Sequence, residues 1–174
     1  MSMRSRWFVA MCCIATAGFA AEPVGPGLGV VVPEAEIARL DITVMPSGEG
    51  LPRGSGDATA GRSVYLANCM ACHGTKGEGL LNDKLVGGTG SLAGESPVKT
   101  VGSYWPYATT LFDYVRRAMP YQQPGSLTAS EIYAVTAYLL YLNEIVGEDQ
   151  ELNAATLPLV EMPNREGFVR VHGG

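Results

Sequence analysis

Cys69-Met70-Ala71-Cys72-His73 decides how the rest of this chain is read. Two thiols separated by two residues and followed at once by an imidazole form the pattern of covalent haem c attachment. Each sulfur can add to one vinyl group along one haem edge, and the histidine is then on hand as an iron ligand. A zinc site or a dithiol redox pair also uses Cys-x-x-Cys. Structural zinc needs about four protein ligands, and a thioredoxin-like pair belongs beside a βαβ pattern. The only other cysteines, Cys12 and Cys13, lie at the far N-terminus. The expectation is therefore one haem c, anchored by Cys69 and Cys72, with His73 on the iron.

Met1 to Ala20 have the layout of a secretory signal: Arg4 and Arg6 in front, an apolar run from Trp7 to Ile14, then small residues through Gly18 and Ala20, with cleavage expected after Ala20. The run is too short for a bilayer core of about 30 Å; an uncleaved anchor is the other reading of it. Met11 stands where a lipoprotein signal wants a small residue, so Cys12 and Cys13 are expected to leave with the signal. No disulfide and no membrane span are then expected in the mature chain, and export together with haem c attachment places it in the periplasm. Losing Arg4 and Arg6 lowers Lys+Arg from 12 to 10 against 17 acidic residues, so the formal charge moves from −5 to −7. That balance argues against nucleic acid as a partner and favours a docking patch of opposite sign on a redox partner. The remaining length of about 154 residues suits one domain.

The chain falls into a signal at 1–20, a Pro/Gly-rich N-terminal arm at 21–56, a haem-binding domain at 57–146 and a C-terminal arm at 147–174. Within the first arm, Ile37 and Leu40 have helical spacing while Leu40, Ile42 and Val44 alternate like a strand. The conflict reads as an extended arm with a brief ordered segment, or as a mobile leader. Asp57 is a candidate N-cap for a helix running through Arg62 and Tyr65 into the haem motif. Gly61 costs that helix about 1 kcal/mol relative to alanine, which points to another backbone close by, with Tyr65 filling the space one turn on.

From Gly74 to Thr100 the glycines suit a loop laid over a flat macrocycle. Leu80, Leu81, Leu85 and Val86 are its candidate apolar wall, and a backbone carbonyl in it is expected to accept from His73. Tyr104-Trp105-Pro106-Tyr107 precedes a short helix at about Thr110 to Ala118, capped by Thr109 or Thr110. Trp105 and the tyrosines can donate to haem propionates or simply pack. Thr128-Ala129-Ser130-Glu131 is a capping box flanked by Leu127 and Ile132 as a hydrophobic staple. The helix it starts is expected to reach Ile145, with Ile132, Val135, Leu139 and Leu142 on one stripe facing the helix of Gly61 and Tyr65. After Gly147 no periodicity supports a regular element, and the segment reads as an arm or as disorder.

With His73 on one face of the iron, the other is Met, His, another donor or open. His172 sits two residues from the C-terminus, where fraying makes it a poor ligand. Met70 lies between the anchoring cysteines. Of Met45, Met119 and Met162, Met119 is favoured: it ends a helix, Pro120 stops that helix behind it, and it lies 46 positions after His73. A thioether ligand raises the potential by favouring ferrous iron. With His73 and Met119 both on the iron, one-electron transfer is the remaining chemistry, and no catalytic residue is assigned.

These residues resemble those of the class I cytochromes c over Asp57 to Ile145. Gly102 to Tyr114, Arg117-Ala118-Met119-Pro120 and Pro124-Gly125-Ser126-Leu127-Thr128 are similar to the cytochrome c subunits of molybdenum sulfite and sulfur (sulfane) dehydrogenases. Glu36 to Arg39, Asp41-Ile42, and Met162-Pro163-Asn164-Arg165 to Gly167-Phe168 extend the likeness across both arms. The resemblance implies an all-α class I cytochrome c fold with His73 and Met119 as axial ligands and Cys69 and Cys72 as thioether anchors. It also implies a non-catalytic subunit that takes electrons from a molybdenum-containing sulfite/sulfur dehydrogenase subunit and passes them to a downstream cytochrome or oxidase. Some sulfur-oxidation relatives carry two haem sites; this chain has one. A freely diffusing periplasmic carrier to a terminal oxidase is the alternative.

Overall fold

The computed structural model describes residues 28–169, so the expected signal with Cys12 and Cys13, and His172 at the other end, lie outside the described residues. The chain divides into two units at Arg39 and Leu40. The boundary falls one residue before the end of α1 (Glu34–Leu40), which carries Glu34 and Glu36 in its first turn, where they complement the helix dipole. Ile37 in that helix is exposed.

The second unit is an α-helical domain with one minimal strand pair, in keeping with the all-α expectation. Helix α2 (Ala58–Asn68) begins where Asp57 accepts from the Ala60 amide at 2.8 Å. A one-turn helix, α3 (Met70–His73), carries the cysteine–histidine motif. Helix α6 (Ala129–Leu142) opens on the expected capping box: the Thr128 hydroxyl accepts from the Glu131 amide, and the Glu131 carboxylate takes the Thr128 amide at 2.8 Å. Its carboxyl is held below the ordinary value by the Thr128 side chain and backbone.

Helices α2 and α6 form the main packing pair of the domain. A Cβ at Gly61 would run into the Ala134 carbonyl, so the missing side chain lets the two backbones close. Tyr65, fully buried, stacks at 5.4 Å and 55° on Tyr138. One expectation is corrected here. Ala134 and Tyr138 face α2, whereas Val135 and Leu139 of the anticipated stripe line a cavity on another side of α6. Ile132 through Leu140 are buried without interruption, so the helix is apolar all round and its sequence does not single out a face.

Three boundaries also differ. The short helix α4 (Val101–Tyr104) was not anticipated; Thr100 and Ser103 cap it reciprocally. Helix α5 (Ala108–Ala118) starts from Tyr107 with no side-chain cap, and Thr109 donates to the Pro46 carbonyl instead. Helix α6 stops at Leu142 rather than Ile145, because Asn143 caps it and Glu144 takes a positive φ of 60°.

The segments flanking the helices are extended but knitted into the domain. Asp113 accepts the Val44 amide at 2.9 Å, and Arg116 donates to the Ile42 carbonyl at 3.0 Å. β1 (Ser55–Gly56) pairs antiparallel with β2 (Leu152–Asn153), in register Ser55 with Asn153. Leu152 and Leu157 are fully buried and Val160 and Met162 nearly so. These segments and the helices they flank belong to the compact unit that begins at Leu40. The C-terminal segment escaped the sequence reading because its apolar residues are pinned one at a time by turns and a 3-10 turn (Leu157–Leu159), not by a repeating period.

Candidate functional site

A cavity of about 800 Å³ opens in the domain, within the usual size of cofactor sites, roughly 300–1,000 Å³. Cys69, Cys72, His73, Trp105 and Met119 all line it. Of the methionines weighed as ligands, Met45 is exposed and Met162 is buried in the core, and neither lines the cavity.

The His73 wall is built from crossed hydrogen bonds. The His73 and Cys72 amides both bond the Cys69 carbonyl, closing the turn that brings thiols and imidazole together. The Tyr65 hydroxyl, reaching out of α2, donates to the Gly74 carbonyl at 2.8 Å. Burial, with Cys69 close by, pushes this phenol up to about 12, so it is a donor across the neutral range. The loop then folds back: Leu81 and Asn82 amides both bond the Cys72 carbonyl, and Gly79 bonds that of His73. This return places the Asp83 carbonyl 2.8 Å from His73 Nδ1. A carbonyl can only accept, so Nδ1 carries the proton and Nε2 is left with its lone pair. The orienting carbonyl was expected from this loop; its identity as Asp83 depends on the fold-back.

Burial, and then Cys72, push the Cys69 thiol up to about 11, so it stays protonated at neutral pH. Among the described residues no group of three or more His, Cys, Asp and Glu gathers to hold a metal, and structural zinc needs about four such ligands. A zinc site does not fit these residues. A covalent haem does: two uncommitted thiols, one free imidazole nitrogen and one thioether share a largely apolar cavity.

Met119 is the C-cap of α5, its backbone extended after a last helical bond to the Val115 carbonyl at 3.1 Å. The stretch from Tyr121 to Ser126 is exposed and held by local turns, Gln123 to Pro120 and Ser126 to Gln123. Trp105 stands edge-on to Tyr114 at 5.5 Å and 89°, both on the cavity wall. Of the four anticipated loop residues, Leu81 and Leu85 line the cavity, Leu80 and Leu81 are both largely exposed, and Val86 packs on Gly77. Leu111, Val115, Val135 and Leu139 add apolar side chains to the lining and were not assigned to it from sequence. The i, i+4 spacing within each pair was the available signal, but it equally suits helix packing.

The model of the family "Cytochrome C oxidase, cbb3-type, subunit III" matches residues 56–139. A chain of the crystal structure of the sulfane dehydrogenase SoxCD from Paracoccus pantotrophus superposes with a TM-score of 0.77 at 45% identity, over 83% of this chain and 71% of that one. The photosystem II extrinsic protein V of Microcystis aeruginosa is 29% identical over 120 residues, 62% of this chain and 88% of that protein. The thiosulfate dehydrogenase of Psychrobacter arcticus is 30% identical over 82 residues, 47% of this chain but 25% of that enzyme. The chain belongs to the class I c-type cytochromes, electron-transfer proteins whose cofactor is haem c. Within that class it is similar, over most of its length, to the SoxCD chain and so to a protein of sulfur oxidation. No helix among the described residues is long and apolar enough to cross a membrane.

Proposed function

We propose that this chain is a periplasmic monohaem cytochrome that accepts single electrons from a molybdenum-containing sulfite/sulfur dehydrogenase subunit and passes them to a downstream cytochrome or oxidase. The observation that carries the haem site is the convergence of Cys69, Cys72, His73 and Met119 on one cavity that Met45 and Met162 do not reach. Cys69 and Cys72 anchor the haem through thioethers, His73 offers Nε2, and Met119 offers its sulfur. The bound haem supplies reversible one-electron chemistry at iron. The chain's part would be to hold the group through these four side chains and to keep water from it with Leu111, Val115, Val135 and Leu139.

Support for the partner comes from how far the likeness to SoxCD extends. It spans 83% of the chain, beyond the 56–139 core that the broader cytochrome family shares. The test is sulfite-dependent haem reduction in the periplasmic fraction, followed through purification. The expected result is that reduction travels with this chain and a larger molybdenum subunit. A haem that stays oxidised with sulfite, yet is reduced by other periplasmic donors, leaves the free carrier as the function.

A further inference from the structure

The stretch Met162-Pro163-Asn164-Arg165-Glu166-Gly167-Phe168 plays no part in the electron-transfer chemistry just described, yet it meets the cavity wall from behind. Leu157, Val160 and Met162 bury themselves in the core and fix where the stretch begins. From there Asn164 Nδ2 donates to the Tyr104 carbonyl at 2.7 Å. That carbonyl belongs to the peptide group joining Tyr104 to Trp105, so the bond holds the plane from which the Trp105 backbone departs.

Further contacts grip the residues around Trp105, two of them from the same segment. The Phe168 ring meets the Tyr104 ring edge-on at 5.3 Å and 66°, and Lys99 sits 5.0 Å from the centre of the same ring. The Arg165 guanidinium lies 4.9 Å from the centre of the Tyr107 ring, within reach of a cation–π attraction. Trp105 itself leaves α4 as its C-cap in an extended conformation, with no helical bond of its own to fix it. Its ring is braced by Tyr114 on the cavity side. The peptide entering Trp105 and the ring two residues beyond it are thus both held by one C-terminal segment.

We infer that Met162 to Phe168 is a clamp that sets the Trp105 wall of the haem cavity, with Asn164 as its positioning residue. The inference rests on the haem reading of the cavity. Asn164 touches neither the cavity nor the proposed ligands, so its effect on the haem runs through Trp105.

The test compares the full-length holoprotein with its Asn164→Ala variant and, as a milder second, Phe168→Ala. Trp105 is the one tryptophan besides Trp7, which makes its indole N–H resonance in the ferrous protein easy to assign. Both variants are expected to keep covalent haem in a denaturing gel while the Trp105 resonance shifts and the midpoint potential moves, more for Asn164→Ala. If the resonance and the potential stay at the wild-type values while only the melting temperature falls, the segment is a structural clasp and the inference is wrong. Should Asn164→Ala fail to accumulate, Phe168→Ala alone decides, because Phe168 is half-exposed and its loss leaves the buried anchors intact. Absence of covalent haem from the wild-type protein would sink the haem reading instead, and is seen in the same gel before any variant is compared.

Discussion

The two walls that carry the proposed iron ligands are built differently. His73 sits in a one-turn helix where the Cys69 and Cys72 carbonyls each accept two amides, with Tyr65 tying Gly74 to α2 and Asp83 holding the ring. Met119 sits where a helix runs out, followed by an exposed turn whose hydrogen bonds stay between Pro120 and Ser126. The first wall draws its rigidity from long-range packing of α2 on α6; in the second, Met119 packs against the core from the end of α5, but the turn that follows it is held only by its own backbone. Local stability follows buried contacts and protected hydrogen bonds, so the His73 wall should open only with the domain, and the Met119 wall ahead of it.

The largest expected effect breaks the rigid wall at its root. Gly61→Ala drives a methyl into the Ala134 carbonyl, and two helix backbones cannot both yield without separating. A loss of about 3 kcal/mol or more in urea unfolding is expected; a change within about 1 kcal/mol would mean that α2 is not seated as described. Tyr65→Phe comes next. It leaves the Gly74 carbonyl buried without its donor, which costs about 1 to 3 kcal/mol. The pH dependence follows from the same residue. Because burial raises the phenol to about 12 from an ordinary value of 10.0, the folded state holds the proton more tightly than the unfolded chain. Stability from Tyr65 is therefore complete below pH 10 and declines as pH rises towards 12, by about 1.4 kcal/mol per pH unit. Tyr65→Phe should flatten that decline, and an equal slope in the variant would assign it to another group.

How much of this was legible in the sequence divides along the same line. Asp57, Gly61 and the Thr128–Glu131 box are short-range signals whose physics is complete within a few residues, and the structure returns each of them. Gly61 even announced its partner backbone, though not that the partner is Ala134. What could not be read was direction. Val135 and Leu139 looked like helix-packing residues and line the cavity instead, because α6 is buried on every side and periodicity carries no information there. The 147–169 segment was hidden for a related reason: Leu152 reaches the core from a two-residue strand, Leu157 from a 3-10 turn, and Val160 and Met162 from irregular chain, with no common period. Met45, Met119 and Met162 are each followed by a proline, so Met119 was separable from the other two only by its helix end and its distance from His73. The cavity adds an independent distinction, since it admits one of the three.

Met119→Ala tests the looser wall. Met119 is only partly buried, so the stability cost should be about 1 kcal/mol, short of the 2–5 kcal/mol typical of a fully buried methionine. The spectroscopic effect should nevertheless be complete: the sulfur-to-iron band of the ferric protein disappears and the midpoint potential falls. Survival of the band in this variant would transfer the ligand role to Met45 or Met162. Either would require a rearrangement that brings an exposed side chain, or one packed in the core, into the cavity.

The smallest effect on stability sharpens the contrast most. Gln123 lies in the exposed turn after Met119 and makes its bonds through backbone alone, its amide to Pro120 and its carbonyl to Ser126. Gln123→Gly removes a solvent-facing side chain and widens the backbone freedom of the turn. Global stability should change by no more than about 0.5 kcal/mol. If the turn is what keeps the Met119 sulfur in place, added imidazole should displace it from ferric haem more readily in this variant than in the wild type, in a titration of the sulfur-to-iron band. An unchanged titration would mean that Met119 is held by α5 and the cavity lining rather than by the turn, and the two walls would then be equally stiff.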